Sequence, residues 1–164
     1  MAEEADIQAG HRVLEPSAGT GNLIIAIKEL GFNGNIHLDA IEINYDLCKK
    51  LRGYGIEVDQ QDFLEVEKPY CPDAPDGWDR IVMNPPFVNG ADIKHIQHAQ
   101  TLLKPGGRLV ALCANGPRQR AALQPIADIW EDLPAGSFKE QGTNVSVALL
   151  VINAPEAPAE GQLF

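Results

Sequence analysis

The feature that most limits how this chain can fold is Asn84-Pro85-Pro86-Phe87, directly after the run Trp78-Asp79-Arg80-Ile81-Val82-Met83. The run reads as a buried strand. Two consecutive prolines cannot extend a central strand, because neither donates a ladder hydrogen bond. The strand therefore stops there and leaves an amide, two rigid carbonyls and an aromatic ring at its end. Such a set suits a flat, amine-bearing group. The amide oxygen of Asn84 and the carbonyl of Pro85 each accept one hydrogen of an NH2 group, and Phe87 stacks on the ring that carries it. A planar amine spreads its lone pair into its ring and is a poor nucleophile. Two acceptors placed out of plane draw it toward tetrahedral geometry and free the pair for attack.

Such an amine needs an electrophile, and the first third of the chain reads as a cradle for one. Arg12-Val13-Leu14-Glu15-Pro16-Ser17 is a short strand, and Ala18-Gly19-Thr20-Gly21 a tight glycine turn. From Asn22 to Leu30 the apolar positions 23, 24, 27 and 30 form a helical stripe. Strand, glycine turn and helix together let a ligand approach bare backbone. About twenty residues on, Ile36-His37-Leu38-Asp39-Ala40-Ile41-Glu42 is a second strand ending in an acid. An acid there accepts hydrogen bonds from both hydroxyls of a ribose.

These motifs resemble the class I S-adenosylmethionine-dependent methyltransferases of the adenine-amino DNA type, over roughly residues 11 to 153. Glu15-Pro16-Ser17-Ala18-Gly19-Thr20-Gly21 resembles the family's methionine-binding glycine motif. Glu42 falls where the family binds the ribose hydroxyls. Gln61-Asp62-Phe63 resembles the segment whose acid meets the adenine amine of the cofactor, with the aromatic beside its ring. Asn84 to Phe87 matches the catalytic tetrapeptide. The resemblance implies Asn84, Pro85 and Phe87 as the catalytic set. It implies Glu15, Ala18, Gly19, Gly21, Asn22, Glu42, Ile43, Asp62, Phe63 and Asn84 as contacts of S-adenosyl-L-methionine. Related enzymes that methylate RNA bases or a protein glutamine share the tetrapeptide, so DNA is the first expectation and RNA or protein the alternative. A cofactor-binding regulatory subunit is a third reading, disfavoured by the intact Asn84 and Phe87.

The 164 residues suffice for one core. Residues 1–153 are expected to form the catalytic domain and 154–164, rich in Pro, Ala and Glu, a flexible tail. No apolar run approaches a membrane span, and the acidic start at Met1 to Asp6 does not read as a signal peptide. Cys48, Cys71 and Cys113 are scattered, without a CxxC pair. That usage points to a reducing cytoplasm and argues against a disulfide framework or a zinc site. Thirteen basic residues against 23 acidic give a net charge of −10. Proteins that hold DNA alone carry a basic face. The charge therefore favours a local basic patch, a partner subunit or a protein substrate.

The remaining segments predict a Rossmann-like, doubly wound α/β fold. Its sheet is seven-stranded and mostly parallel, with both faces covered. Glu57-Val58-Asp59-Gln60-Gln61 reads as a third strand, and Lys68 to Gly77 as a loop. A helix is expected from about Ala91 to Leu103, stopped by Lys104-Pro105-Gly106-Gly107. Arg108 to Ala114 reads as a strand, and Gln119 to Trp130 as a helix despite Pro125. Ser137-Phe138-Lys139 is a short strand candidate. Val145 to Ile152 is the last strand, antiparallel in the family resembled. Between Phe87 and that strand no room remains for a target-recognition domain.

Four further features carry expectations. His95 and His98, at i and i+3 on the helix after the tetrapeptide, lack a third ligand at supporting spacing. They fit a solvated or substrate-facing surface better than a metal pair. Ser17 and Thr20 lack a nucleophile elbow and suit hydrogen bonding to the cofactor. Arg118 and Arg120 follow the fifth strand, on the rim that carries Asn84, and would touch phosphate if the substrate is nucleic acid. The ending Glu160-Gly161-Gln162-Leu163-Phe164 resembles peptides that dock bacterial DNA-handling proteins onto the replication sliding clamp, although Glu160 stands where Gln is usual.

Overall fold

Strand β1 (Arg12–Glu15) and strand β2 (His37–Glu42) lie parallel, with Val13 opposite Leu38 and Glu15 opposite Ala40. The computed structural model describes residues 1–31, 35–68, 76–134, 136–137 and 145–158. Between the two strands, helix α1 (Asn22–Glu29) starts after Gly21 and buries Ile24 and Ile27. Helix α2 (Tyr45–Gly53) follows β2, with Asn44 as its cap accepting from the Leu47 amide at 3.1 Å. Strand β3 (Asp59–Gln60) is two residues long. A 3-10 turn (Phe63–Glu65) follows, capped by Asp62. Strand β4 (Trp78–Met83) lies parallel between β1 and strand β5 (Leu103–Ala114), with helix α3 (Ala91–Thr101) crossing over. Helix α4 (Pro117–Leu123), strand β6 (Ile129–Asp132) and strand β7 (Val147–Asn153) complete the fold.

The sheet order is β3-β2-β1-β4-β5-β7-β6, with β7 antiparallel to both neighbours. This is the expected seven-stranded, doubly wound α/β sheet with an antiparallel last strand. Successive strand residues point to opposite faces. Leu14, Ile81, Met83 and Leu109 accordingly join the cluster holding Ile96 of α3 and Leu123 of α4. Val13, Val82, Val110 and Val151 join Ile27 of α1 in a second cluster on the other face.

Four local readings change. Helix α2 was not anticipated. The third strand keeps only two of its five expected residues. Strand β5 begins at Leu103, so Lys104-Pro105-Gly106-Gly107 belongs to it. A register shift between Trp78 and Arg80 on β4 accommodates that segment, and irregular pairing is what tolerates a proline in a sheet. The helix expected from Gln119 to Trp130 ends at Leu123. Pro125 sits in a 3-10 turn, and Trp130 lies in β6, which pairs with the free edge of β7. Ser137 lies in a turn, and positions 138 and 139 fall outside the described residues. So does the terminal pentapeptide, Glu160 to Phe164. Beyond β7 the Ala154 amide donates to Gly107 O at 2.8 Å, and Pro155 O accepts from Gly106 at 3.0 Å. Among the described residues no helix is long and apolar enough to cross a membrane.

A polar lattice ties the strand starts together, opposite the rim that carries Asn84. Arg12 Nε and Nη2 donate to Asp39 at 2.7 and 3.1 Å, and the Trp78 indole donates to the same carboxylate at 2.7 Å. Burial pushes the Asp79 carboxyl up. The Arg12 amide and the Lys104 ammonium outweigh that and hold it below its ordinary range. Cys48 and Cys113 are buried, and burial pushes the Cys113 thiol up to about 12, so it is no nucleophile.

On the functional rim the pin is Asp92, near the start of α3 and fully buried. It accepts from the Ala114 amide at 3.0 Å and from Gln119 Nε2 at 3.2 Å, joining α3, the end of β5 and α4. Asp92→Ala should lose roughly 1–3 kcal/mol of stability, the cost of a buried donor left unpaired, while Asp92→Asn keeps an acceptor and loses less. Urea denaturation reads this. A loss under about 0.5 kcal/mol for Asp92→Ala, the size of an ordinary surface substitution, would contradict the pinning role.

Candidate active site

Strands β1, β2 and β4 end side by side, and each delivers one polar side chain to the same rim. These are Glu15, Glu42 and Asn84. The glycine turn follows β1. Gly19 and Gly21 have φ of 53° and 86°, a region that side chains with a Cβ avoid. The turn is tied across the sheet, because the Ala18 amide donates to Ile41 O at 2.9 Å. Glu42 locks it further. One Glu42 oxygen accepts from the Gly19 amide and the other from the Asn44 amide, both at 2.8 Å. Each oxygen keeps a second lone pair. Gly21 has a different reason. A Cβ there would sit 2.7 Å from Leu51 Cδ2, so α2 packs too close for any side chain.

Two adjoining clefts open on this rim. The first, about 610 Å³, is lined by Glu42, Ile43, Gln61, Asp62, Phe63, Leu64 and His95, with Pro16 and the tetrapeptide Asn84 to Phe87. The second, about 600 Å³, is lined by Glu15, Ala18, Gly19, Thr20, Asn22, Leu23 and Ala26, with Met1 and Leu112. Ser17 and Asn84 belong to both. Of the catalytic and cofactor contacts expected from sequence, all but Gly21 lie on one cleft or the other, and His95 joins them, whereas His98, Arg118 and Arg120 lie outside both. Leu112, Met1, Leu23 and Ala26 were not foreseen. Leu112 sits near the end of β5, the strand beside β4, a placement that strand order alone would have suggested.

Asn84 is exposed, Pro85 is buried, and Phe87 is half-buried against the cluster of Val82 and Leu112. Asp62 uses one oxygen to accept from the Leu64 amide at 2.9 Å. Phe63 is buried, 5.7 Å from the His95 ring and edge-on to His98 at 5.0 Å between centroids. Burial lowers the pKa of His95, and Nδ1 has no partner. His98 Nε2 lies 2.9 Å from Val66 O. Among the described residues no three His, Cys, Asp or Glu gather as metal ligands.

Glu15 is 1% exposed, and one oxygen accepts from the Ser17 amide at 2.9 Å. Burial raises its pKa to about 8, the Ser17 amide opposes this, and Glu42 adds to the rise. A protonated acid buried at the second cleft is matched to a cationic ligand, which would restore its charge. The two clefts, joined at Ser17 and Asn84, offer room for an elongated, positively charged molecule. S-adenosylmethionine has that form, with a nucleoside at one end and a sulfonium and ammonium toward the other.

The comparisons agree with that geometry. Residues 2–128 match the methyltransferase small domain family. A ribosomal protein L11 methyltransferase of Symbiobacterium thermophilum is 27% identical over 137 residues, covering 83% of this chain and 42% of the relative. A tRNA1(Val) (adenine(37)-N6)-methyltransferase of Aliivibrio fischeri is 29% identical over 131 residues, covering 63% of this chain and 52% of the relative. The crystal structure of TrmN from Thermus thermophilus superposes with a TM-score of 0.67 at 22% identity, covering 93% of this chain and 46% of that one. The chain thus spans about half the length of the curated relatives it matches. It belongs to the methyltransferase small domain family, whose methyl donor is S-adenosylmethionine.

Proposed function

We propose that this chain transfers a methyl group from S-adenosylmethionine to the exocyclic amine of an adenine in RNA. The observation that carries the reading is the place of Asn84. It is exposed at the end of β4 and shared by both clefts, with Pro85 and Phe87 beside it. The Aliivibrio relative acts, by its name, on the N6 amine of a tRNA adenine. Neither curated relative is named for DNA, so DNA adenine, the first expectation from the tetrapeptide, has less support than RNA. A protein substrate is the second reading, favoured by the Symbiobacterium relative.

In this reading Glu42 accepts from the ribose hydroxyls with the lone pairs its backbone contacts leave. Asp62 accepts from the adenine amine of the cofactor, between Ile43 and Phe63. Glu15, Ala18, Gly19, Gly21 and Asn22 form the turn that holds the amino-acid end. When bound, S-adenosylmethionine supplies an electrophilic methyl group on a sulfonium. Asn84 Oδ1 and the Pro85 carbonyl accept the two hydrogens of the target amine and aim its lone pair. Phe87 stacks on the target base. Orientation and two fixed acceptors favour the developing ammonium, so no base acts before attack and water takes the proton afterwards.

Labelled S-adenosylmethionine offered separately with RNA, DNA and ribosomal protein should mark RNA, as N6-methyladenine. Label confined to protein would overturn the RNA reading. Asn84→Ala should abolish transfer with cofactor affinity kept within a few fold. Full activity of that variant on its substrate would refute the catalytic assignment. Glu42→Ala should weaken cofactor binding by about 1–3 kcal/mol in calorimetry, the value of hydrogen bonds to a charged group. Equal affinity would remove the ribose role.

Glu15 adds a pH dependence. Folded Glu15 keeps its proton up to about pH 8, whereas the unfolded carboxyl releases it near 4.5. The stability this contributes is full below 4.5 and is lost progressively as pH rises through about 8. Glu15→Gln should flatten that slope in urea denaturation followed against pH. Binding of the cationic cofactor near pH 7 should release close to one proton in wild type and none in Glu15→Gln. Calorimetry in buffers of different ionisation enthalpy reads the difference, and equal proton release would contradict it.

A further inference from the structure

Arg118 and Arg120 lie two positions apart on α4, just after β5, and their surroundings differ. Arg120 Nη2 donates to both oxygens of Asp132, at 2.8 and 2.7 Å, and its guanidinium lies 5.6 Å from the Trp130 ring centroid. Its charge is neutralised within the protein. Arg118 is exposed and forms no ion pair among the described residues. Its Nη1 reaches the Asn89 carbonyl at 3.4 Å.

What fixes Arg118 is a glycine. A Cβ built on Gly90 would lie 2.7, 2.8 and 2.9 Å from Cζ, Nη1 and Nη2 of Arg118. Three nearly equal distances mean that the guanidinium lies flat across the Gly90 Cα. Gly90 also has φ 73°, so its conformation and its bare surface both call for glycine. Asn89, with φ 54°, precedes it, and both follow Phe87 within three residues. The guanidinium is thereby seated just beyond the tetrapeptide.

We infer that Arg118, laid flat on Gly90 beside Asn84 to Phe87, holds a phosphate of the substrate strand next to the base presented to Asn84. The assignment rests on the RNA reading and deepens it. A molecule of net charge −10 repels a polyanion as a whole, so a phosphate settles where a cation is left unneutralised. The planar fork of arginine matches phosphate geometry. A face resting on glycine restrains the side chain before the ligand arrives and leaves its edge for the phosphate oxygens. The expectation from sequence for this loop is thereby divided, with Arg118 on the substrate and Arg120 on Asp132.

The test is the salt dependence of RNA binding, with kcat and KM measured on the same RNA. Arg118→Ala should weaken binding roughly tenfold at low salt and lower the slope of log affinity against log salt by about 0.7, one phosphate of a single strand. Its KM for RNA should rise, and its affinity for S-adenosylhomocysteine should stay that of the wild type. Arg118→Lys should keep the wild-type slope, because the charge remains. Gly90→Ala should weaken binding less than Arg118→Ala and keep the wild-type slope, because the new methyl displaces the guanidinium but leaves its charge. Arg120→Ala should keep the slope. An unchanged slope in Arg118→Ala, with RNA still methylated, overturns this assignment alone. Transfer by the wild type to protein and to no RNA overturns the RNA reading and this assignment together.

Discussion

Strand β4 ends at Met83 because Pro85 and Pro86 have no amide hydrogen to give either neighbour. On that termination the whole rim depends. β4 lies between β1 and β5, so the chain must leave the sheet at its centre. β1 leaves beside it through a glycine turn, and β2 leaves next along with Glu42. Three neighbouring strand ends bring Glu15, Glu42 and Asn84 to one rim without any one loop having to do so. A side chain on a strand end is also held more firmly than one on a long loop.

The electrostatics of the rim follow from burial. Glu42 is 8% exposed, and both its oxygens accept backbone amides. Glu15 lies near it with a pKa of about 8, so the pair carries less charge at neutral pH than its composition suggests. The chain thus stores an acid that a cationic ligand can ionise. The same surface repels a nucleic acid, which leaves the placement of single cations to matter. Arg120 is closed by Asp132, and Arg118 is open.

Much of this was legible in the residues, for physical reasons. The glycine turn, the acid ending β2 and the double proline each break a regular pattern at a strand end, and such breaks are visible without tertiary information. The mostly parallel character of the sheet followed from alternating strands and helices. What escaped depended on partners distant in sequence. Trp130 lies in β6 because β7 offers it an edge, which no local propensity reveals. Lys104 to Gly107 looked like a breaker and became strand because β4 shifts register to meet it. Gly21 looked like part of a ligand cradle, and its bareness is required by Leu51 of α2. Helix α2 had a readable signal, the Asn44 cap with Leu47, Cys48 and Leu51 on one side, that the charged residues between them obscured.

The central claim is that the two clefts form one site whose halves meet at Asn84. A crystal structure with S-adenosylhomocysteine tests it most directly. The expected result places the nucleoside in the cleft of Ile43, Asp62 and Phe63, the ribose on Glu42, and the amino-acid end in the glycine turn beside Glu15. The sulfur should face Asn84. A ligand bound elsewhere, or lying with its sulfur turned away from Asn84, would contradict the account.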